Sequence, residues 1–243
     1  MAYLYALRSR MRTYKPIVTV DSMSDDELYE STRFPRSAVQ DLCEMLSDEL
    51  KRPTYRSHAL TAEAQIVAAL QFYSSGSFQW MVGRGTGMSQ SSISRSVENV
   101  TDALCKLSNS YITFPSSDHA LLNTKLAFNN IAAFPNVLGA IDCTHVAIKA
   151  PKQDEDAYVN RKGVHTINVQ AVCDADMKLL NVVARWPGST HDSFIWRTSN
   201  LHHLFDHGYI QGGWLLGITF IVYAIVYNKC ILISYTNTHP HID

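Results

Sequence analysis

The sequence predicts an α/β protein: an all-helical N-terminal region with a helix-turn-helix, then a strand-rich core that is incomplete at its C-terminus. Three observations carry this. Apolar residues recur at helical spacing over much of the first 107 residues, and each run opens on a plausible cap. From Phe134 the period changes to that of strands. Short apolar runs then alternate with breaks such as Asp174-Ala175-Asp176 and Pro187-Gly188. The expected division is 1–133 helical, with the helix-turn-helix at about 61–107, then 134–217 partial core and 218–243 divergent apolar tail.

Ser24 with Glu27 three residues on is a capping-box start. A second helix starts at Ser37, with Val39, Leu42, Met45, Leu46 and Leu50 on one face. A third opens at Leu60-Thr61-Ala62-Glu63 and stops near Ser74-Ser75-Gly76. A short helix, Phe78 to Gly83, precedes the turn Gly83-Arg84-Gly85-Thr86-Gly87, and a long helix runs on through Leu104 and Leu107. Two helices about a short turn, the second opening on small polar residues and an arginine, have the shape of a helix-turn-helix reader. Ser89 would cap that second helix, and Gln90, Ser91, Ser94 and Arg95 could face a groove or phosphates. An ordinary helical hairpin with solvated serines reads equally well. The local charge is weak, which argues against high affinity from this module alone.

Val137 to Ile141 reads as a buried strand continued by Val146 to Ile148, and Thr166 to Val172 alternates as a strand should. Leu179 to Ala184 returns as a third strand, Ser193 to Phe205 as a helix, and Trp214-Leu215-Leu216-Gly217 as a fourth strand. Three meandering strands, a helix and a fourth strand is the order of a ribonuclease-H-like core.

The composition bounds the function. The chain has 243 residues, enough for one large domain or two small ones, and its 46% hydrophobic content excludes global disorder. A net charge of -1 is a poor match to a protein that simply coats DNA. It does not exclude a nuclease, because metals bring local positive charge. Cys43, Cys105, Cys143, Cys173 and Cys230 show neither zinc-knuckle spacing nor a disulfide framework, so a reducing compartment is expected. Arg8, Arg10 and Arg12 follow the apolar N-terminus, the reverse of a signal peptide, so the chain is read as intracellular.

Two aspartates stand out. Asp142 ends the apolar run from Val137 to Ile141, where a charge costs desolvation energy unless it is paired. No Lys or Arg adjoins it, so a divalent metal is the natural partner. Magnesium takes one or two carboxylates plus water and phosphate oxygens, and two such ions side by side stabilise both oxygens of a phosphodiester displacement. Asp192 stands in Gly188-Ser189-Thr190-His191-Asp192-Ser193, at the start of a helix. The plainer readings are a strand-end turn for Asp142 and a helix cap for Asp192. His145 and His191 adjoin the pair as ligands, supporting donors or packing residues, and Arg161 and Lys162 either touch phosphate or form a solvated turn.

Several ordered blocks now make a resemblance specific. Ala140 to Val146, Tyr158 to Gly163, Asn168 to Asp174 and Pro187 to Ser193 resemble successive blocks of the Harbinger transposase-derived nucleases, of the DDE superfamily of endonucleases. Leu70 to Gln79 and Ser89 to Arg95 resemble the family's N-terminal region, and the likeness runs from about Leu28 to Gly217. It implies a ribonuclease-H-like core and a nuclease that hydrolyses DNA phosphodiesters with a divalent cation, magnesium or manganese. It also implies a nuclear, also cytoplasmic, setting and a Myb-like partner protein. The family's metal site uses four acidic positions, of which Asp142 and Asp192 match the first two. The third would follow the Trp-Leu-Leu strand, where this sequence has Ile218, and the fourth is expected beyond residue 243.

The sequence from Ile218 to Asp243 is unlike the family and reads as an alternative exon or translated intron joined at Gly217. Its apolar runs are broken by Asn228-Lys229, so a membrane anchor is less favoured than an aggregation-prone tail. With half the carboxylates absent, the alternative to a nuclease is a catalytically dead DNA- or protein-binding remnant that works through the helix-turn-helix region.

Overall fold

The computed structural model describes residues 16–51 and 59–217, and the backbone of 223–226 and 229–232. The chain divides into two compact units, Met1–Ser108 and Asn109–Asp243.

The first unit is helical: α1 (Asp25–Thr32), α2 (Arg36–Leu50), α3 (Ala62–Ser75), α4 (Gln79–Thr86) and α5, which starts at Gln90 and runs to Tyr111. Local chemistry sets the ends. Ser24 and Glu27 form the expected capping box on α1, and Thr61 caps α3, which ends at Gly76 in the left-handed conformation. The apolar faces meet in one core that includes Leu28, Val39, Leu46, Ile66, Val67 and Val100. Gln65 is fully buried there. Its amide donates to the Leu50 carbonyl at 3.3 Å and accepts from Asn99 Nδ2 at 3.1 Å, tying α2, α3 and α5 together.

The second unit runs α6 (Asp118–Ala132), β1 (Val137–Ala147), α7 (Glu155–Tyr158), β2 (Thr166–Cys173), β3 (Leu179–Pro187), α8 (Asp192–Arg197), α9 (Asn200–Asp206), β4 (Trp214–Gly217), β5 (Tyr223–Val226) and β6 (Lys229–Leu232). The sheet order is β3-β2-β1-β4-β5-β6. β1, β2 and β3 form an antiparallel meander, and β4 lies parallel to the other side of β1. Helices α8 and α9 supply Trp196, Leu201 and Phe205 to a core with Leu138, Ile141, Val172 and Leu215. Each such side chain contributes roughly 1.5–3 kcal/mol of burial.

The structure departs from the sequence reading in several places. The expected helix Ser193–Phe205 is two helices, because the Ser199 hydroxyl accepts from His202 N at 3.1 Å and starts α9 afresh. β1 runs unbroken through Asp142 instead of pausing there. The expected division at 133/134 marks the change of period, whereas α6 belongs with the sheet unit, where Leu121 joins the second core. Most of the stretch from Ile218 to Asp243 lies outside the described residues, Ile218 included. Two segments of it form strands that extend the sheet beyond β4. Among the described residues no helix is long and apolar enough to cross a membrane.

Candidate active site on the sheet

Asp142 sits on β1 at the point where β4 ends, since the last β1–β4 pair is Ile141 with Gly217. Contrary to the sequence expectation, its side chain is exposed. Ile141 is the last buried residue of β1, so Asp142 meets solvent and carries no large desolvation cost. The pairing register settles its direction. Cys143 lies opposite Gln170 and His145 opposite Asn168, all on one face, and the pleat sends Asp142 to the other.

Asp192 belongs to the face of Cys143. It is the first residue of α8 and is reached through the loop Gly188–His191. That loop is pinned from below. A Cβ on Gly188 would collide with the Thr166 hydroxyl and lie 2.5 Å from the Tyr158 carbonyl, so only glycine lets the loop lie so close to β2. Ser189 N donates to the Ala157 carbonyl at 3.0 Å. Asn168, 1% exposed, donates through Nδ2 to the Thr190 carbonyl at 2.9 Å and to Asp192 Oδ1 at 2.8 Å. Sequence reasoning gave Asn168 no role. Its signal was an asparagine inside a strand, where that residue type is depleted.

The Asp192 carboxylate also lies against the Cys143 thiol. Burial, then the charge of Asp192 and a hydrogen bond to it, then the charge of Asp142, push that thiol up to about 12. Cys143 is therefore a protonated donor and no thiolate nucleophile at neutral pH.

A cleft of about 420 Å³ opens on this side, lined by Asp192 together with His145, Arg161, Lys162, Thr190 and His191 among others. Arg161 NH2 donates to His191 Nδ1 at 3.0 Å. A guanidinium has no acceptor, so that ring nitrogen carries no proton. The His145 ring nitrogen Nδ1 and the Thr166 hydroxyl are 3.0 Å apart. The structure thus gathers Asp192, His145, His191, Arg161 and Lys162 in one cleft, which Asp142 does not line.

Residues 141–218, from within β1 through β4, match the DDE superfamily endonuclease family. Over 198 residues the chain is 44% identical to the rat (Rattus norvegicus) protein named "Putative nuclease HARBI1". Residues 141–218 are thus similar to a DDE superfamily endonuclease domain, and the chain is similar to the Harbinger transposase-derived nucleases. The rat alignment covers 82% of this chain and 57% of the relative. The human protein of the same name is 43% identical with the same coverage. The "Protein ALP1-like" of Arabidopsis thaliana is 26% identical over 193 residues, 76% of this chain and 47% of the relative. The chain thus spans little more than half the length of these HARBI1 relatives. No solved structure matches it.

The donor chemistry of the DDE domain suits a hard cation, because aspartate oxygens are what magnesium and manganese take. Among the described residues no three His, Cys, Asp or Glu side chains converge as an all-protein cage requires. The cleft offers one carboxylate, Asp192, so a cation there would complete its shell with water and phosphate oxygens.

In the helical unit, α4 and α5 are joined by a turn in which Met88 N donates to the Gly83 carbonyl at 2.9 Å. Ser89 caps α5, its hydroxyl accepting from Ser92 N at 3.2 Å. Ile93 and Val82 pack beneath, while Ser89, Gln90, Ser91, Ser94 and Arg95 are all exposed.

Proposed function

We propose that this chain is a Harbinger-derived DDE nuclease core directed at DNA phosphodiesters, with Asp192 as the cleft carboxylate that holds a divalent cation, magnesium or manganese, and Asp142, whose charge also reaches the Cys143 thiol from outside the cleft, as the second carboxylate of the family motif. The observation that carries it is the cleft of the DDE domain, where a fixed carboxylate, Asp192, stands among Arg161, Lys162 and two histidines. A cation bound there would polarise the phosphate and favour hydroxide as nucleophile. The chain's own residues do the rest: Asn168 orients Asp192, Cys143 donates to it, and His191, unprotonated at Nδ1, holds Arg161 in place. With one carboxylate on the cleft and Ile218 where the family places its third acid, the expected rate is low. The family resemblance adds the nucleus and a Myb-like partner to this reading.

The test is nicking of supercoiled plasmid by the purified chain in magnesium or manganese. Slow nicking that stops in EDTA and in both Asp142→Asn and Asp192→Asn supports the proposal. Nicking indifferent to either substitution refutes the assignment.

A second reading is favoured by the exposed row on α5. Here the chain binds DNA or protein through the α4–α5 hairpin, with Ser89 as cap and Gln90, Ser91, Ser94 and Arg95 as contacts, and does not cut. DNA binding that survives EDTA and Asp142→Asn but falls in Arg95→Ala, without nicking, selects this reading.

A further inference from the structure

The turn that carries Arg161 and Lys162 is more ordered than a solvated loop requires. Val159 and His165 close it as a bridge, Asn160 N donates to the Val164 carbonyl at 3.0 Å, and Gly163 takes a φ of 73°. The Asn160 side-chain oxygen accepts from Lys162 N at 2.9 Å and from Val164 N at 3.1 Å. Arg161 and Lys162 therefore stand at the apex of a rigid turn. Neither makes an ion pair with a carboxylate among the described residues. Arg161 spends one N–H on His191, which anchors it across to the loop before Asp192 and leaves the rest of its fork for a ligand.

From this geometry we infer that Arg161 and Lys162 form a phosphate clamp that seats the nucleic-acid backbone in the Asp192 cleft. Arg161 meets the phosphate with its planar fork and Lys162 acts as a point charge. His191 sets the direction of the fork, and Thr190 lines the same cleft. The inference rests on the DNA-directed reading above, but it is independent of whether the chain cuts.

The experiment is fluorescence anisotropy of a labelled eight-nucleotide oligothymidylate with the full chain, in EDTA, over a range of salt. The probe is single-stranded, which separates the clamp from a helix that reads a duplex groove. Two phosphate contacts give a slope of about −1.4 in log affinity against log salt, at roughly −0.7 per contact. The Arg161→Ala, Lys162→Ala double variant is expected to lose at least about tenfold in affinity at low salt and most of the slope. Arg161→Lys is expected to keep the slope and lose part of the affinity.

Parent-like binding by a folded double variant overturns the clamp, as does failure of the parent to bind. Tighter binding of an octaglutamate peptide with the same dependence on Arg161 and Lys162 also overturns it, by assigning the cleft to acidic peptide. Normal clamp results without plasmid nicking would remove the catalytic proposal and leave the clamp. Nicking that depends on Asp142 and Asp192, with parent-like binding by the double variant, would do the reverse.

Discussion

Asn168 holds Asp192: its buried amide donates to the Asp192 carboxylate at 2.8 Å and to the Thr190 carbonyl at 2.9 Å, joining the middle of the sheet to the first residue of α8. Both amide hydrogens are committed, so the contact orients the carboxylate instead of merely neighbouring it. Asn168→Ala leaves two acceptors without their donor and should cost about 1–3 kcal/mol in urea unfolding. Asn168→Asp buries a carboxylate against the exposed Asp192 and should cost about 3–5 kcal/mol at pH 7. That larger loss should shrink as the pH falls and one carboxyl protonates. A pH-independent loss would show that charge is not the cause.

Gly188 is the second pin of the same loop. A methyl group there meets the Tyr158 carbonyl at 2.5 Å and the Thr166 carbonyl at 2.8 Å, both backbone atoms that move only with their strand or helix. Gly188→Ala should therefore lower stability by about 1–3 kcal/mol, the usual range for overpacking. It should also weaken oligothymidylate binding, since the cleft wall shifts with the loop. A melting temperature equal to the parent's would contradict the close packing.

Two glycines of α4 should respond in opposite directions. A Cβ on Gly83 lies 2.7 Å from the Met88 carbonyl, so Gly83→Ala should push the α4–α5 turn apart and destabilise. A Cβ on Gly85 meets nothing within 4 Å, so Gly85→Ala should stabilise by about 0.4–1 kcal/mol through the unfolded chain. Chemical denaturation of the two variants side by side checks the contrast.

His202 makes stability depend on pH. Burial, opposed by the charge of Asp206 and assisted by that of Arg197, holds its pKa below the ordinary 6.5. Its ring sits edge-on to Trp196, with centroids 5.3 Å apart. The unfolded chain thus binds the proton more tightly than the folded one. The contribution of His202 is fully present above pH 6.5 and is lost as the pH falls through the folded value. Melting curves from pH 8 to pH 5 should show a steeper acid decline for the parent than for His202→Gln. Parallel curves would remove His202 as the source.

Local features were legible without coordinates because their causes are local. The Ser24–Glu27 capping box, the Thr61 cap and the Gly76 stop act within one turn of helix, and the alternation in β2 needs only the pleat. The α8–α9 break was not legible, because the apolar pattern continues across it while Ser199 starts a new helix. Nor was α6, for which the sequence reading named no helix and whose contacts with β1 place it in the sheet unit.

By itself the sequence determined most of the helical and strand segments, though not α6, α7 or the α8–α9 break, together with the chain order of β1 to β4 and the two aspartates in their motifs. The tertiary structure alone decided which faces those residues use. In β2 the polar set Thr166, Asn168 and Gln170 is the buried one, because the loop before Asp192 and α8 cover that side of the sheet. For the same reason Asp192 lines the cleft with Arg161 and His191, while Asp142 leaves β1 on the opposite face. Alternation along a strand fixes which residues share a face, but the choice of covered face comes from elements distant in sequence that pack against it.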